Sequence, residues 1–243
     1  HAPRVRDQDE VAKQGASYVV LACHEADVGG TMLGVITDDD VIDVSAEEAT
    51  QDSYSLAGLS EEDRVFTSAR VSIRKRLPWM LVNLVTAFGA GAIVGLFEAT
   101  LDQMVSLVIF LPVVAGIGGT GGIQTLTVIT RAIALGEIEC SSGIRAVGKE
   151  MVVGLVIGTA AGIISGAIAY FLHGNVYMGL VLLAAMVVTM VTASLVGAAV
   201  PLALKALRQD PALGSGILVT FAVDALGFFS FLGFATLLLD RMV

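Results

Sequence analysis

Five long apolar runs, separated by short polar segments, fill the chain after residue 76. They predict membrane-length helices near 77–97, 104–134, 151–172, 177–204 and 213–239, each close to or above the roughly 20 residues that cross a bilayer. Before residue 77 the pattern changes. GASYVVLACHE reads as a strand, DVGG as a turn, TMLGVIT as a second strand, and DDDVIDV as a helix start with Asp38 as its N-cap. AEEATQD continues helical and acidic, SYSLAGLS breaks the pattern, and Ser60 with Asp63 opens a further helix. That helix is expected to end in Arg70, Arg74, Lys75 and Arg76, directly before Trp79. The expected organisation is mainly α: a small cytoplasmic α/β unit over 1–44, an acidic-to-basic connecting segment over 45–76, and a five-helix transmembrane bundle over 77–243.

One carboxylate, Asp224, falls inside the expected spans. A charge at that depth is costly, so it should face protein or water rather than lipid. Two readings are open: an acid that stays protonated and bonds a neighbouring helix, or one that meets a cation. An intramembrane aspartyl protease would need a second acid at membrane depth. The spans offer none, which argues against an enzyme. Asp210-Pro211 precedes the fifth span and predicts an N-cap followed by Pro at the first helical position. Asp210 serves either as the cap alone or as the cap and an ion contact at the inner mouth.

Glycines mark the second and third spans. Pro112 followed by Gly116, Gly118, Gly119, Gly121 and Gly122 predicts a helix bent or unwound at membrane depth, with Thr120, Gln124, Thr125 and Thr127 close by. Freed carbonyls at that depth must be buried or line a watery path. Gly116-x-Gly118-x-x-Gly121 formally matches a dinucleotide fingerprint, but an apolar span lacks the strand–turn–helix context that motif needs. Gly154, Gly158, Gly162 and Gly166 lie four apart on one face of span three and predict close helix packing, within or between subunits; Gly91 and Gly95 repeat the spacing in span one.

Composition and charge sharpen this. The chain is 55% hydrophobic and 15% charged, below the quarter or so usual in soluble domains. Residues 1–63 hold 15 acidic and 3 basic side chains, a local balance of −12. That argues against nucleic acid as a partner and leaves a solvated acidic face or a divalent-cation surface. Basic residues at 70, 74, 75, 76, 131, 145, 149, 205 and 208 fall on the side of the head, and only Arg241 on the other. The positive-inside rule then places the head in the cytoplasm and the C-terminus outside. Cys23 and Cys140 suggest neither a disulfide nor a metal cluster. With His at position 1 and no signal peptide, the sequence reads as part of a longer protein or a trimmed one.

The head's strand, Gly-x-Ile-Thr strand and acidic helix start resemble the second half of a CBS domain. PVVAGIGGTGGIQTLTVITRAIALGEI in span two, DPALGSG before span five, VDALG around Asp224, and DDVIDV with EEAT-x-D in the head resemble the MgtE magnesium channel family over residues 15–243. At Thr120 that family commonly carries Asn. The resemblance implies a homodimeric channel in the plasma (inner) membrane with its pore on the dimer axis. It implies Asp224 as the pore acid that holds hydrated Mg²⁺, with Asp210, Gly118, Gly119, Thr120 and Thr220 as further pore residues. It also implies regulatory Mg²⁺ sensed by Asp40, Asp43, Glu48 and Asp52. Mg²⁺ would thus be both cargo and regulator, with the lipid bilayer, divalent cations and a second copy as partners. A Na⁺- or H⁺-coupled divalent-cation carrier is the alternative, followed by a membrane sensor that transports nothing.

Overall fold

The computed structural model describes residues 54–57, 59, 65–138, 143–212 and 215–242. The chain divides into two compact units, His1–Tyr54 and Ser55–Val243. The expected α/β unit over 1–44 lies outside the described residues.

All the regular structure among the described residues is helical. Helix α1 spans Ala69–Gly95, α2 Glu98–Gln103, α3 Leu111–Ala134, α4 Gly143–His173, α5 Val176–Ala206, α6 Ser215–Leu237 and α7 Leu239–Met242. A 3-10 helix, Val105–Phe110, leads into α3. Five of these helices, α1 and α3 to α6, are long and apolar enough to cross a membrane, matching the five predicted runs. Arg70, Arg74, Lys75 and Arg76 lie on the first turns of α1 itself, and the helix continues through Pro78. Proline there leaves the Arg74 carbonyl without its helical donor, and the helix absorbs the loss near its start.

Short, specific connections order the bundle. Gly174 has φ 68° and ends α4. Asn175 then caps α5 by accepting from the Tyr177 amide at 2.9 Å, and its side-chain amide donates to the Met242 carbonyl at 3.0 Å. At the far end of α3, Gly136 (φ 69°) sits where a left-handed residue closes the helix, and Glu137 N–H reaches back to the Ala132 carbonyl at 2.9 Å. The same closure ends α5, but with Arg208 at φ 57°, and Gln209 N–H bonds the Leu204 carbonyl. Lys205 donates to the Ile138 carbonyl at 2.8 Å, pinning the segment after α3 to the end of α5.

Helix α5 is the hub. It packs on α4, α3 and α6, whereas α1 rests on α6. Lipid is as apolar as leucine, so burial of apolar area does little to hold membrane helices together; close contact must do it. The sequence of α5 supplies small side chains on its contact faces, with Ala185, Thr189, Ala193, Gly197 and Ala198 all buried. Against it lie Gly154, Gly158, Gly162 and Gly166 of α4. A Cβ on Gly158 would meet the Met186 carbonyl at 3.0 Å, and one on Gly162 the Leu183 carbonyl at 2.9 Å. These four glycines therefore pack within one chain. Gly91 and Gly95 of α1 face open space, with no atom of another element within 4 Å of an added Cβ.

The expected unwinding of Gly116–Gly122 is corrected. Helix α3 runs unbroken from Leu111 to Ala134, with Pro112 in its first turn, where a missing N–H costs no helical bond. The glycines of α3 instead serve contact. A Cβ on Gly118 would overlap Thr189 Cγ2 at 2.5 Å, one on Gly121 Met190 Cε at 2.6 Å, and one on Gly122 Val219 Cγ1 at 2.8 Å. Close approach accounts for these residues without a break, and the irregular backbone falls just upstream, in the 3-10 turn at 105–110.

Candidate functional site

Helices α3 and α6 pack together and share a groove of about 830 Å³. Its lining includes Gly116, Gly119, Thr120, Gln124 and Thr127 of α3 and Thr220 of α6. Thr120, Gln124 and Thr127 are exposed, and their spacing places them along one face of α3. Thr120 and Thr127 donate their hydroxyls to the Gly116 and Ile123 carbonyls at 2.7 and 2.9 Å. Thr220 does the same to Gly216 at 2.8 Å. Each hydroxyl oxygen keeps acceptor capacity toward the groove. The continuous α3 helix commits the Gly118 and Gly119 carbonyls to helical bonds, so the expectation of freed carbonyl ligands there is withdrawn.

The expected pore residues separate into groups. Gly119, Thr120 and Thr220 meet in the groove, where a Cβ on Gly119 would lie 4.0 Å from Thr220 Cγ2. Gly118 points the other way, buried against Thr189 and Val223. Asp224 follows Thr220 by one turn on α6 and is half-buried; its Oδ1 is fully buried and has no hydrogen-bond partner. Asp210 stands apart and exposed in the turn before α6. Its Oδ1 accepts from the Ala212 amide at 2.8 Å. The predicted N-cap with Pro211 at the first helical position is corrected: residues 211–212 form a turn and α6 begins at Ser215. A carboxylate two residues before a free amide closes an Asx turn more readily than it starts a helix. Asp40, Asp43, Glu48 and Asp52 lie outside the described residues.

One buried acid escaped the sequence reading. Glu150 sits in the second turn of α4 with 5% exposure. Its Oε1 accepts from Lys149 Nζ at 2.6 Å, and its Oε2 accepts from the Thr125 hydroxyl of α3 at 3.4 Å. The apolar run starting at 151 hid it, because α4 extends eight residues further toward its N-terminus than hydropathy indicates. Its partners are Thr125 and Lys149 rather than Asp224, so the two acids do not form a catalytic dyad. Among the described residues no three His, Cys, Asp or Glu side chains gather as a metal cluster. The formal dinucleotide match at Gly116–Gly121 lies inside α3 without a preceding strand among the described residues.

A family model described as a divalent cation transporter, MgtE, matches residues 111–234, which run from the start of α3 almost to the end of α6. The chain is 31% identical over 235 residues to the magnesium transporter MgtE of Bacillus subtilis, covering 97% of this chain and 52% of that protein. It is 34% identical over 244 residues to the magnesium transporter MgtE of Thermus thermophilus, covering 97% of this chain and 53% of that protein. With the magnesium transporter MgtE of Enterococcus faecalis it shares 30% identity over 218 residues, covering 90% of this chain and 48% of that protein. The chain spans about half the length of these curated relatives. Carried by α3 to α6, which include the two helices that line the groove, the match means that the chain belongs to the MgtE family.

Proposed function

We propose that this chain carries Mg²⁺ across the plasma membrane into the cytoplasm as a homodimeric channel. The observation that carries the reading is the polar face of α3, with Thr120, Gln124 and Thr127 exposed on a membrane-length helix beside Thr220 of α6, one turn before Asp224. Lipid is a poor solvent for an exposed amide and a carboxylate, so that face suits water and a cation. A two-fold axis along the groove would bring two Asp224 side chains toward each other. Two facing carboxylates repel unless one protonates or a divalent cation stands between them. Mg²⁺ gives up its water reluctantly, so carboxylate and hydroxyl oxygens around an intact hydration shell suit it. Asp210 would meet the cation at the inner, cytoplasmic mouth. Asp40, Asp43, Glu48 and Asp52 would bind cytoplasmic Mg²⁺ and close the pathway when the ion is plentiful, by relieving their mutual repulsion.

The membrane potential is sufficient drive. A doubly charged ion gains about 4.6 kcal/mol per 100 mV on moving inward. In proteoliposomes an inside-negative potential alone should produce Mg²⁺ influx. Influx that requires an opposing Na⁺ or H⁺ gradient would establish the coupled carrier instead, and no influx under either condition would leave the sensor.

A further inference from the structure

Thr189 is 1% exposed in the middle of α5, and its hydroxyl has no hydrogen-bond partner. Thr130 on α3 shares that condition, whereas five other helical threonines do not. Thr120, Thr127, Thr159, Thr220 and Thr236 each donate to the carbonyl four residues earlier, at 2.7 to 2.9 Å. That bond is open in principle to a threonine inside a helix, and Thr189 does not make it.

Its surroundings give the reason. The side chain is wedged between α3 and α6. A Cβ on Gly118 would touch Thr189 Cγ2 at 2.5 Å, and one on Gly227 would meet Cγ2 at 3.2 Å and Oγ1 at 3.3 Å. The methyl therefore fills the notch at Gly118, and the methyl and the hydroxyl both lie against α6 at Gly227. Gly227 lies three residues after Asp224, on the neighbouring position of the α6 surface. Asp224 Oδ1 is also buried without a partner. A buried donor and a buried acceptor, each unsatisfied, thus lie on adjoining helices, and Thr189 meets α6 three residues from Asp224. Valine would fill the same hole, so packing alone does not explain the hydroxyl.

We propose that Thr189 is a positioning residue for Asp224, donating its hydroxyl to Oδ1 when a cation engages the other carboxylate oxygen. The inference rests on the reading of Asp224 as the cation-binding side chain. Loading a cation beside α6 turns the carboxylate; Thr189, held by α3 and α5, then fixes the turned rotamer.

Infrared difference spectra of the Mg²⁺-saturated full chain test this directly. The Asp224 band is assigned by its loss in Asp224→Asn. It should shift in Thr189→Val, which keeps the volume and removes the donor, and stay in place in Thr189→Ser, which keeps the donor. Mg²⁺ flux should fall about tenfold in Thr189→Val, the scale of one hydrogen bond to a charged group, and be retained in Thr189→Ser. Thermal stability should run the other way, with Thr189→Val at least as stable as the unsubstituted chain. An Asp224 band unmoved by Thr189→Val overturns the inference whatever the flux. Absence of flux in the unsubstituted chain would defeat the transport reading and leave the infrared comparison to decide the pairing.

Discussion

Gly166 of α4 and Gly179 of α5 face each other so closely that a Cβ on either would lie 2.7 or 2.8 Å from the other's carbonyl oxygen. Backbone rather than side chain forms the contact there, and backbone cannot rotate aside. Gly166→Ala or Gly179→Ala should therefore destabilise the bundle by about 1–3 kcal/mol, the usual range for overpacking. Gly148→Ala, on the same α4 but with nothing within 4 Å of the new Cβ, should be neutral or stabilising by up to about 1 kcal/mol. Thermal unfolding in detergent checks both. Equal effects at 148 and 166 would contradict the close α4–α5 seam.

Arg208 holds φ 57° where the closure of α5 calls for a left-handed residue. An L side chain there costs roughly 1–2 kcal/mol. Arg208→Gly should raise stability by about that amount, and Arg208→Val should lower it. A melting temperature unchanged by both substitutions would count against the assigned closure.

Glu150 and Thr125 are joined by a long hydrogen bond of 3.4 Å between α4 and α3, and the Lys149 partner is 65% exposed. Both features predict a weak coupling. A double-mutant cycle with Thr125→Val and Glu150→Gln should give less than about 1 kcal/mol. Glu150→Ala should cost more than Glu150→Gln, because it opens a cavity and strands the Thr125 hydroxyl. A coupling of several kcal/mol would mean that the pair shortens in the working state.

The groove face of α3 should meet water. After Cys23 and Cys140 are replaced by Ser, single cysteines at Thr120, Gln124 and Thr127 should react with a membrane-impermeant thiol reagent, and Mg²⁺ should slow the reaction. Cysteines at Leu155 and Ile163, exposed on α4 away from the groove, should stay unreactive. Labelling at 155 equal to that at 124 would place the groove in lipid.

The five membrane helices were legible because apolar runs of this length have few alternatives, and Asp224 stood out because nothing else in those runs carries a negative charge. The seam of Gly154, Gly158, Gly162 and Gly166 was readable as a helix face, but not which helix it meets, since spacing carries no information about the partner. The glycines of α3 were misread for a related reason. A cluster of glycines suits either a broken helix or a crowded one, and only the positions of Thr189, Met190 and Val219 show the crowding. Glu150 was missed because hydropathy begins α4 at the first apolar residue, whereas the helix begins where its backbone is satisfied. Asp210 had the composition of a cap, and the chain used it for a turn instead.

The central claim is that Asp224 holds the cation at mid-membrane depth. Mg²⁺ flux into proteoliposomes under an inside-negative potential, compared between the unsubstituted chain and Asp224→Asn, tests it most directly. Asn keeps the shape and removes the charge. Flux should fall at least about a hundredfold, as expected for loss of a charge-assisted site worth roughly 3 kcal/mol. Flux equal to that of the unsubstituted chain would show that the ion crosses without this carboxylate.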